Sequence, residues 1–273
     1  MFNKGSQKMK RTKPWIIAIS NQKGGVGKTT TAVNLATALA AVNKKVLIID
    51  MDPQGNATVS LGFDKNNATK TSYHVLIGEC SISQAIVWSK IPNLSVIASS
   101  KDLAGADYEL SQIEKPQYFL KSAFERELLN YDYVFIDCPP SVGMLTVNAL
   151  VAANSVIVPV QCEYLALEGI ADLMRTIDRV HKNFNKELKI QGIVLTMYDT
   201  RTAFSDEVAQ DVRANFGKIG IKVYSSVIPR NVRVAEAPSY GKPILLYDFK
   251  SKGSQAYIGL AKEFLKQEVE NGK

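Results

Sequence analysis

Lys23, Lys28, Thr29 and Thr30 fall within one short stretch, Asn21-Gln22-Lys23-Gly24-Gly25-Val26-Gly27-Lys28-Thr29-Thr30. These residue types at this spacing suit the holding of a triphosphate. Glycines let the backbone take positive φ and come close to a ligand. Successive N–H groups at Gly24, Gly25, Val26 and Gly27 then form an anion nest at a helix start, where the helix dipole also favours phosphate. Lys28 is placed to neutralise β- and γ-phosphates, and the Thr29 hydroxyl to bind Mg2+. The apolar run before this stretch reads as a strand and the Ala-rich run after it as a helix, the order such a cradle needs.

Two acidic segments can serve the same ligand. In Val46-Leu47-Ile48-Ile49-Asp50-Met51-Asp52-Pro53-Gln54-Gly55-Asn56 the carboxylates Asp50 and Asp52 share one face of extended chain, and Pro53 and Gly55 then turn it into a loop. An acid at a strand's carboxyl end borders the ligand crevice of an open α/β sheet, where it can orient a water against a γ-phosphate or hold Mg2+ through its water shell. Val134-Phe135-Ile136-Asp137-Cys138-Pro139-Pro140 is an apolar strand ending in one acid, suited to holding the hydration shell of Mg2+. Ser141-Val142-Gly143 follows as a flexible segment, and Cys138 reads as filling space beside the strand.

Two later strands should end at the same edge. Met197, Pro229 and Asn231 close them and could sandwich and read a planar base, while Arg201, Arg230 and Arg233 sit just beyond, at the rim. Guanidinium groups there can hold nucleic-acid phosphates without reading sequence.

The elements that must position these residues follow from the hydrophobic pattern. Strands are expected over 15–20, 45–50, 94–98, 133–137, 155–160, 190–197 and 223–228, with helices over 28–41, 117–129, 145–153, 168–184, 204–216 and 254–269. The alternation implies βαβ units and a single doubly wound, mostly parallel sheet flanked by helices. Residues 60–92 are the least regular, and short helices are expected there. The chain has 273 residues, 46% of them hydrophobic, enough for one large globular domain. No window approaches the ~18 apolar residues of a membrane span. Residues 1–14 lack the apolar core of a secretory signal. Cys80, Cys138 and Cys162 are odd in number and have neither zinc nor disulfide-scaffold spacing, and His74 and His181 are isolated, so a cytoplasmic setting fits best. The net charge is +7; Lys4, Lys8, Lys10, Arg11 and Lys13 supply most of it, which marks residues 1–14 as a flexible basic extension and 15–273 as the domain.

The glycine loop lacks the first glycine of the ordinary phosphate-loop pattern, Gln22 standing there, and carries a second lysine, Lys23. This is the deviant Walker A signature, and the chain resembles the ParA/MinD family of P-loop ATPases, nearest its short ParA/Soj chromosome-partitioning members. The likeness runs from about Trp15 to about Leu265 and includes Asp52-Pro53-Gln54-Gly55-Asn56 and the tail segment from Ala235 to Ile244. It implies an ATPase using ATP and Mg2+, with Lys28 and Asp52 catalytic, Asp52 positioning water and Asp50 supporting it. It implies that Lys23 reaches the partner's nucleotide across an ATP-sandwich homodimer. Met197, Pro229 and Asn231 would contact the base, and Thr29, Asp52 and Asp137 the metal. Arg201 and Arg233, with Arg230 as an outside candidate, would bind DNA nonspecifically, on the nucleoid. A ParB-like centromere-binding partner would stimulate hydrolysis and release. The stretch before the loop leaves no room for a helix-turn-helix domain, so the chain is expected to be like the short members without operator recognition.

Two alternatives remain open on sequence. A MinD-like ATPase would attach to membrane through a basic amphipathic C-terminal helix. Here Tyr257, Ile258, Ala261, Phe264, Leu265 and Val269 form one stripe opposite a mixed-charge face, which favours core docking, and no membrane partner is expected. A metabolic ATP-dependent enzyme on the same fold should lack Lys23 together with the Asp-Pro-Gln-Gly-Asn string.

Overall fold

Apolar runs without alternation become strands that helices cover on both faces. The computed structural model describes residues 13–270 apart from 66, 164 and 165. Its strands are β1 (Trp15–Ile19), β2 (Val46–Asp50), β3 (Ile86–Trp88), β4 (Leu94–Ile97), β5 (Tyr133–Asp137), β6 (Ser155–Gln161) and β7 (Lys189–Thr196). They form one sheet in the order β3-β4-β2-β5-β1-β6-β7, parallel except for the β3–β4 pair. The basic extension lies outside the described residues apart from exposed Lys13 and half-buried Pro14.

The helices are α1 (Lys28–Ala41), α2 (Asn56–Ser60), α3 (Ser72–Leu76), α4 (Ile82–Ala85), α5 (Leu103–Ser111), α6 (Phe119–Glu125), α7 (Met144–Ala152), α8 (Ala166–Asn183) and α9 (Ala203–Lys218). Then come α10 (Val232–Glu236), α11 (Ile244–Tyr247) and α12 (Lys252–Glu270), with 3-10 turns at Pro116–Tyr118 and Ala237–Tyr240. The period of two along β1 divides the core. Ile17 and Ile19 pack with Leu35 and Leu39 of α1 and with Tyr257, Leu260 and Phe264 of α12. Ile16 and Ala18 face the other layer, against Leu103, Leu120, Leu150, Leu173 and Val212 of α5 to α9. The expected doubly wound sheet is therefore present.

Three expectations need correction. No strand forms over 223–228: the segment meets β7 at an isolated bridge between Val223 and Ile193, and Tyr224 N and Ile228 N donate to Ile193 O and Leu195 O at 2.9 and 2.8 Å, but no continuous ladder joins them. Two donors between those bonds are diverted, because Ser225 N and Ser226 N donate to the Glu263 carboxylate of α12 at 2.8 and 3.0 Å. Tyr224 also folds its ring over Gly192, where a Cβ would lie 2.7 Å from the ring. Second, the irregular 60–92 region holds short helices α3 and α4 as expected, but also β3, an edge strand too short for a period-two signal. Third, the α12 stripe docks through buried Tyr257, Ala261 and Phe264, with Ile258 and Leu265 partly buried, while Val269 is 58% exposed. Among the described residues no helix is long and apolar enough to cross a membrane.

One contact links distant segments. Gly62, which ends the turn after α2, and Gly241, after the Ala237–Tyr240 turn, both have positive φ (81° and 60°) and touch backbone to backbone. A Cβ on Gly241 would stand 2.7 Å from Gly62 Cα, so only glycine fits.

Candidate active site

The carboxyl ends of β1, β2 and β5 meet in register: Asp137 pairs with Ile19 on one side and with Asp50 on the other. From β1 the chain runs into the glycine loop. Buried Asn21 anchors its start by donating Nδ2 to Pro159 O at 2.7 Å and accepting Lys23 N at 3.0 Å. Gly25 and Gly27 take φ of 77° and 86°, as the cradle requires. Thr196 at the end of β7 donates to Val26 O at 2.8 Å and fixes the loop from the other side. Among the described residues no side chain caps α1, so the N–H groups of its first turn remain for an anion.

Lys28 is buried and its Nζ donates to Lys23 O at 3.0 Å. Burial lowers its pKa, and the charges of Asp137 and Asp52 partly oppose that, which places all three within electrostatic reach. The Thr29 hydroxyl donates to Asp137 Oδ2 at 2.7 Å. The other oxygen of this fully buried acid, Oδ1, has no hydrogen-bond partner. Burial, and then the charge of Asp50, push the Asp137 carboxyl well above the ordinary range. An orphaned buried carboxylate oxygen beside a threonine hydroxyl and an uncapped helix start fits a divalent cation with a phosphate. Thr29 and Asp137 are the residues that would hold Mg2+ there. Among the described residues no three His, Cys, Asp or Glu side chains converge as a self-sufficient metal cluster.

The raised Asp137 carboxyl has a measurable consequence. A carboxyl whose pKa is raised by burial stays partly protonated where it would otherwise be ionised, and a bound cation favours the ionised form. Calorimetry of preformed Mg2+–ADP binding at mildly acidic pH, in two buffers of different ionisation enthalpy, should therefore show proton release that an Asp137→Asn chain lacks. Equal release from the two chains would contradict it.

Asp50 and Asp52 divide their work. Asp50 is fully buried and saturated: Oδ2 accepts Thr58 N and Oγ1 at 2.8 and 2.7 Å, and Oδ1 accepts Asp52 N at 3.2 Å. It can therefore support the loop but cannot handle water. Asp52, whose Oδ1 accepts Gln54 N at 2.9 Å, sits in the loop above, near Lys28. Lys23 forms an ion pair with Glu163 of its own chain. Cys138 is buried, and burial pushes its thiol pKa far up.

Met197, Pro229 and Asn231 line a cavity of about 230 Å3 with Gly27, Thr30, Thr196, Val234 and Tyr257. Met197 holds a left-handed φ of 50° at the end of β7. The Asn231 carbonyl oxygen caps α10 by accepting Arg233 N at 2.9 Å and Val234 N at 3.3 Å, so the amide nitrogen is the group left to meet a ligand. Arg230 lines the same cavity and is exposed. Arg201 and Arg233 are exposed and paired: Arg201 with both oxygens of Asp199 at 2.9 and 2.7 Å, Arg233 with Glu236 at 3.2 Å and Asp248 at 3.8 Å. Such exposed pairs are weak and exchange readily with phosphate.

The loop, Asp52, Asp137 and the cavity of Met197, Pro229 and Asn231 thus gather at one sheet edge. Asn21, Thr58, Glu163 and Thr196 join them and carried no sequence signal of their own; the polar residues bordering the glycine loop and following Gly55 were the nearest hint.

A family model described as an AAA domain matches residues 14–190. The chromosome partitioning protein ParA of Caulobacter vibrioides is 55% identical over 255 residues, covering 93% of this chain and 94% of that protein. The sporulation initiation inhibitor protein Soj of Bacillus subtilis is 50% identical, covering 91% and 97%. Among solved structures, cobyrinic acid a,c-diamide synthase from Mycobacterium smegmatis, with bound ATP analog and magnesium, superposes with a TM-score of 0.82 at 37% identity, covering 94% and 97%. At these identities and coverages, and with the deviant glycine loop set against Asp52 and Asp137, the chain belongs to the ParA/Soj family of chromosome-partitioning ATPases.

Proposed function

We propose that this chain positions chromosomes, or plasmids, by an ATP-controlled grip on DNA. The observation that carries the reading is the meeting of Lys28, Thr29, Asp52 and Asp137 around one uncapped helix start. ATP lies along the glycine loop, with Gly24 to Thr30 donating to its phosphates and its base in the cavity of Met197, Pro229 and Asn231. Mg2+, when bound, neutralises charge on the β- and γ-phosphates. Lys28 adds to that neutralisation, Thr29 and Asp137 hold the metal side of the site, and Asp52 orients the attacking water.

Lys23 supports the second half of the reading. It leaves Glu163 and reaches the nucleotide of a second copy, so that two chains sandwich two ATP molecules. The pairing brings both sets of Arg201, Arg230 and Arg233 into one bivalent surface that holds DNA phosphates on the nucleoid, and avidity makes that grip depend on ATP. A ParB-like centromere-binding partner triggers hydrolysis and release. The synthase above has a different chemistry on this fold, and the higher identity to partitioning proteins, 55% against 37%, favours partitioning.

Co-sedimentation with DNA of unrelated sequences, in ATP, ADP or no nucleotide, tests the proposal. Binding should require ATP and fall steeply with salt, with a log–log slope of about −0.9 per phosphate contacted. Arg233→Ala or Arg201→Ala should weaken it by about tenfold on every sequence alike, as loss of a charge-assisted contact predicts. Equal binding without nucleotide, or a loss confined to one sequence, would overturn it.

A further inference from the structure

The loop that carries Asp52 is held by a chain of buried hydrogen bonds that starts on the neighbouring helix. Thr58, fully buried in α2, donates both its N–H and its hydroxyl to Asp50 Oδ2, at 2.8 and 2.7 Å. The same hydroxyl oxygen accepts Ser99 N at 3.0 Å, just past β4. The Ser99 hydroxyl in turn donates to the Asp52 carbonyl oxygen at 2.5 Å. The other end of the Asp52 residue is fixed as well, because its N–H donates to Asp50 Oδ1 at 3.2 Å. The Asp52 backbone is therefore gripped at its N–H through Asp50 and at its carbonyl through Ser99, and the Thr58 side chain bonds to both supports.

We infer that Thr58 is a positioning residue for ATP hydrolysis, its hydroxyl joining Asp50 to Ser99 so that Asp52 is held ready for the γ-phosphate. The inference rests on the reading of Asp52 as the water-orienting acid. The ring closes Asp50–Thr58–Ser99–Asp52 without touching the glycine loop or the base cavity, so it should act on turnover and not on nucleotide binding. A buried Asp50 that loses a donor turns toward other partners, and it takes the Asp52 N–H with it.

The test is steady-state ATPase kinetics on the full chain, with Thr58→Val, Thr58→Ser, Ser99→Ala and Asp52→Ala. Thr58→Val keeps the shape and removes the hydroxyl; kcat should fall about tenfold with KM for ATP within about twofold. Thr58→Ser restores the hydroxyl and should recover kcat to within about threefold of the unchanged chain. Ser99→Ala, which breaks the far end of the ring without disturbing Asp50, should lower kcat about threefold and keeps the test open if Thr58→Val fails to fold. A Thr58→Val or Ser99→Ala chain with unchanged kcat, or one whose KM rises in step with the loss, overturns the inference. So does a Thr58→Ser chain no faster than Thr58→Val. If Asp52→Ala is inactive while the other variants turn over normally, only the Thr58 role fails. An active Asp52→Ala chain removes the reading on which that role rests.

Discussion

Exchanging Asp52 for alanine should lower kcat for ATP by at least about a hundredfold, the range expected when a group that positions or activates water is lost. ATP affinity, read by titration with a fluorescent nucleotide, should stay within about threefold of its starting value. The separation follows from where Asp52 sits. In the proposed mode the triphosphate is cradled by backbone N–H groups of the glycine loop between β1 and α1 and by Lys28 at the start of α1, whereas Asp52 stands on the loop after β2. Its removal leaves Asp50 saturated by Thr58 and leaves Thr29 on Asp137, so the metal side is intact. The trapped ATP form should then hold DNA longer than the unchanged chain. Turnover within tenfold of normal would remove Asp52 from the chemistry.

Lys28→Ala should act one step earlier. Its ammonium is buried, and the neighbouring Asp137 and Asp52 have it as a nearby cation. Loss of a charge-assisted contact to phosphate costs about 1.5–3 kcal/mol. The upper end corresponds to a rise in Kd of about a hundredfold. Thermal denaturation reads this directly: Mg2+–ATP should raise Tm of the unchanged chain and leave that of the Lys28→Ala chain almost unmoved. A full ligand-induced shift in the variant would mean that the loop binds phosphate through its backbone alone.

Much of this site was legible because its parts are local. Strand, glycine loop and helix lie within 27 consecutive residues from Trp15 to Ala41, so period, glycine content and lysine spacing report on one another. Asp52 and Asp137 were legible as acids ending apolar runs, since the carboxyl end of a parallel strand has only one place to point. What stayed hidden depends on distant partners. Thr58 bonds residues 8 positions before it and 41 after it, and Thr196 reaches Val26 across 170. Nothing in a single sequence carries such pairings. The strand expected over 223–228 failed for the same reason: its residues have the β-branched content of a strand, and Glu263, far along the chain, takes the Ser225 and Ser226 donors in its middle. Asn231 was legible as a polar residue beyond a strand end, whereas its duty as the cap of α10 depends on the helix that follows it.

The touching glycines at 62 and 241 set the segment after Asp52 directly against the segment after Arg233. Gly62 closes the segment that begins at Asp52, and Gly241 closes the one that begins at Arg233. With bare backbone on both sides there is no pliable side chain between them to take up slack, and close-packed protein compresses little. A displacement of either segment at that point should therefore press on the other or open the contact.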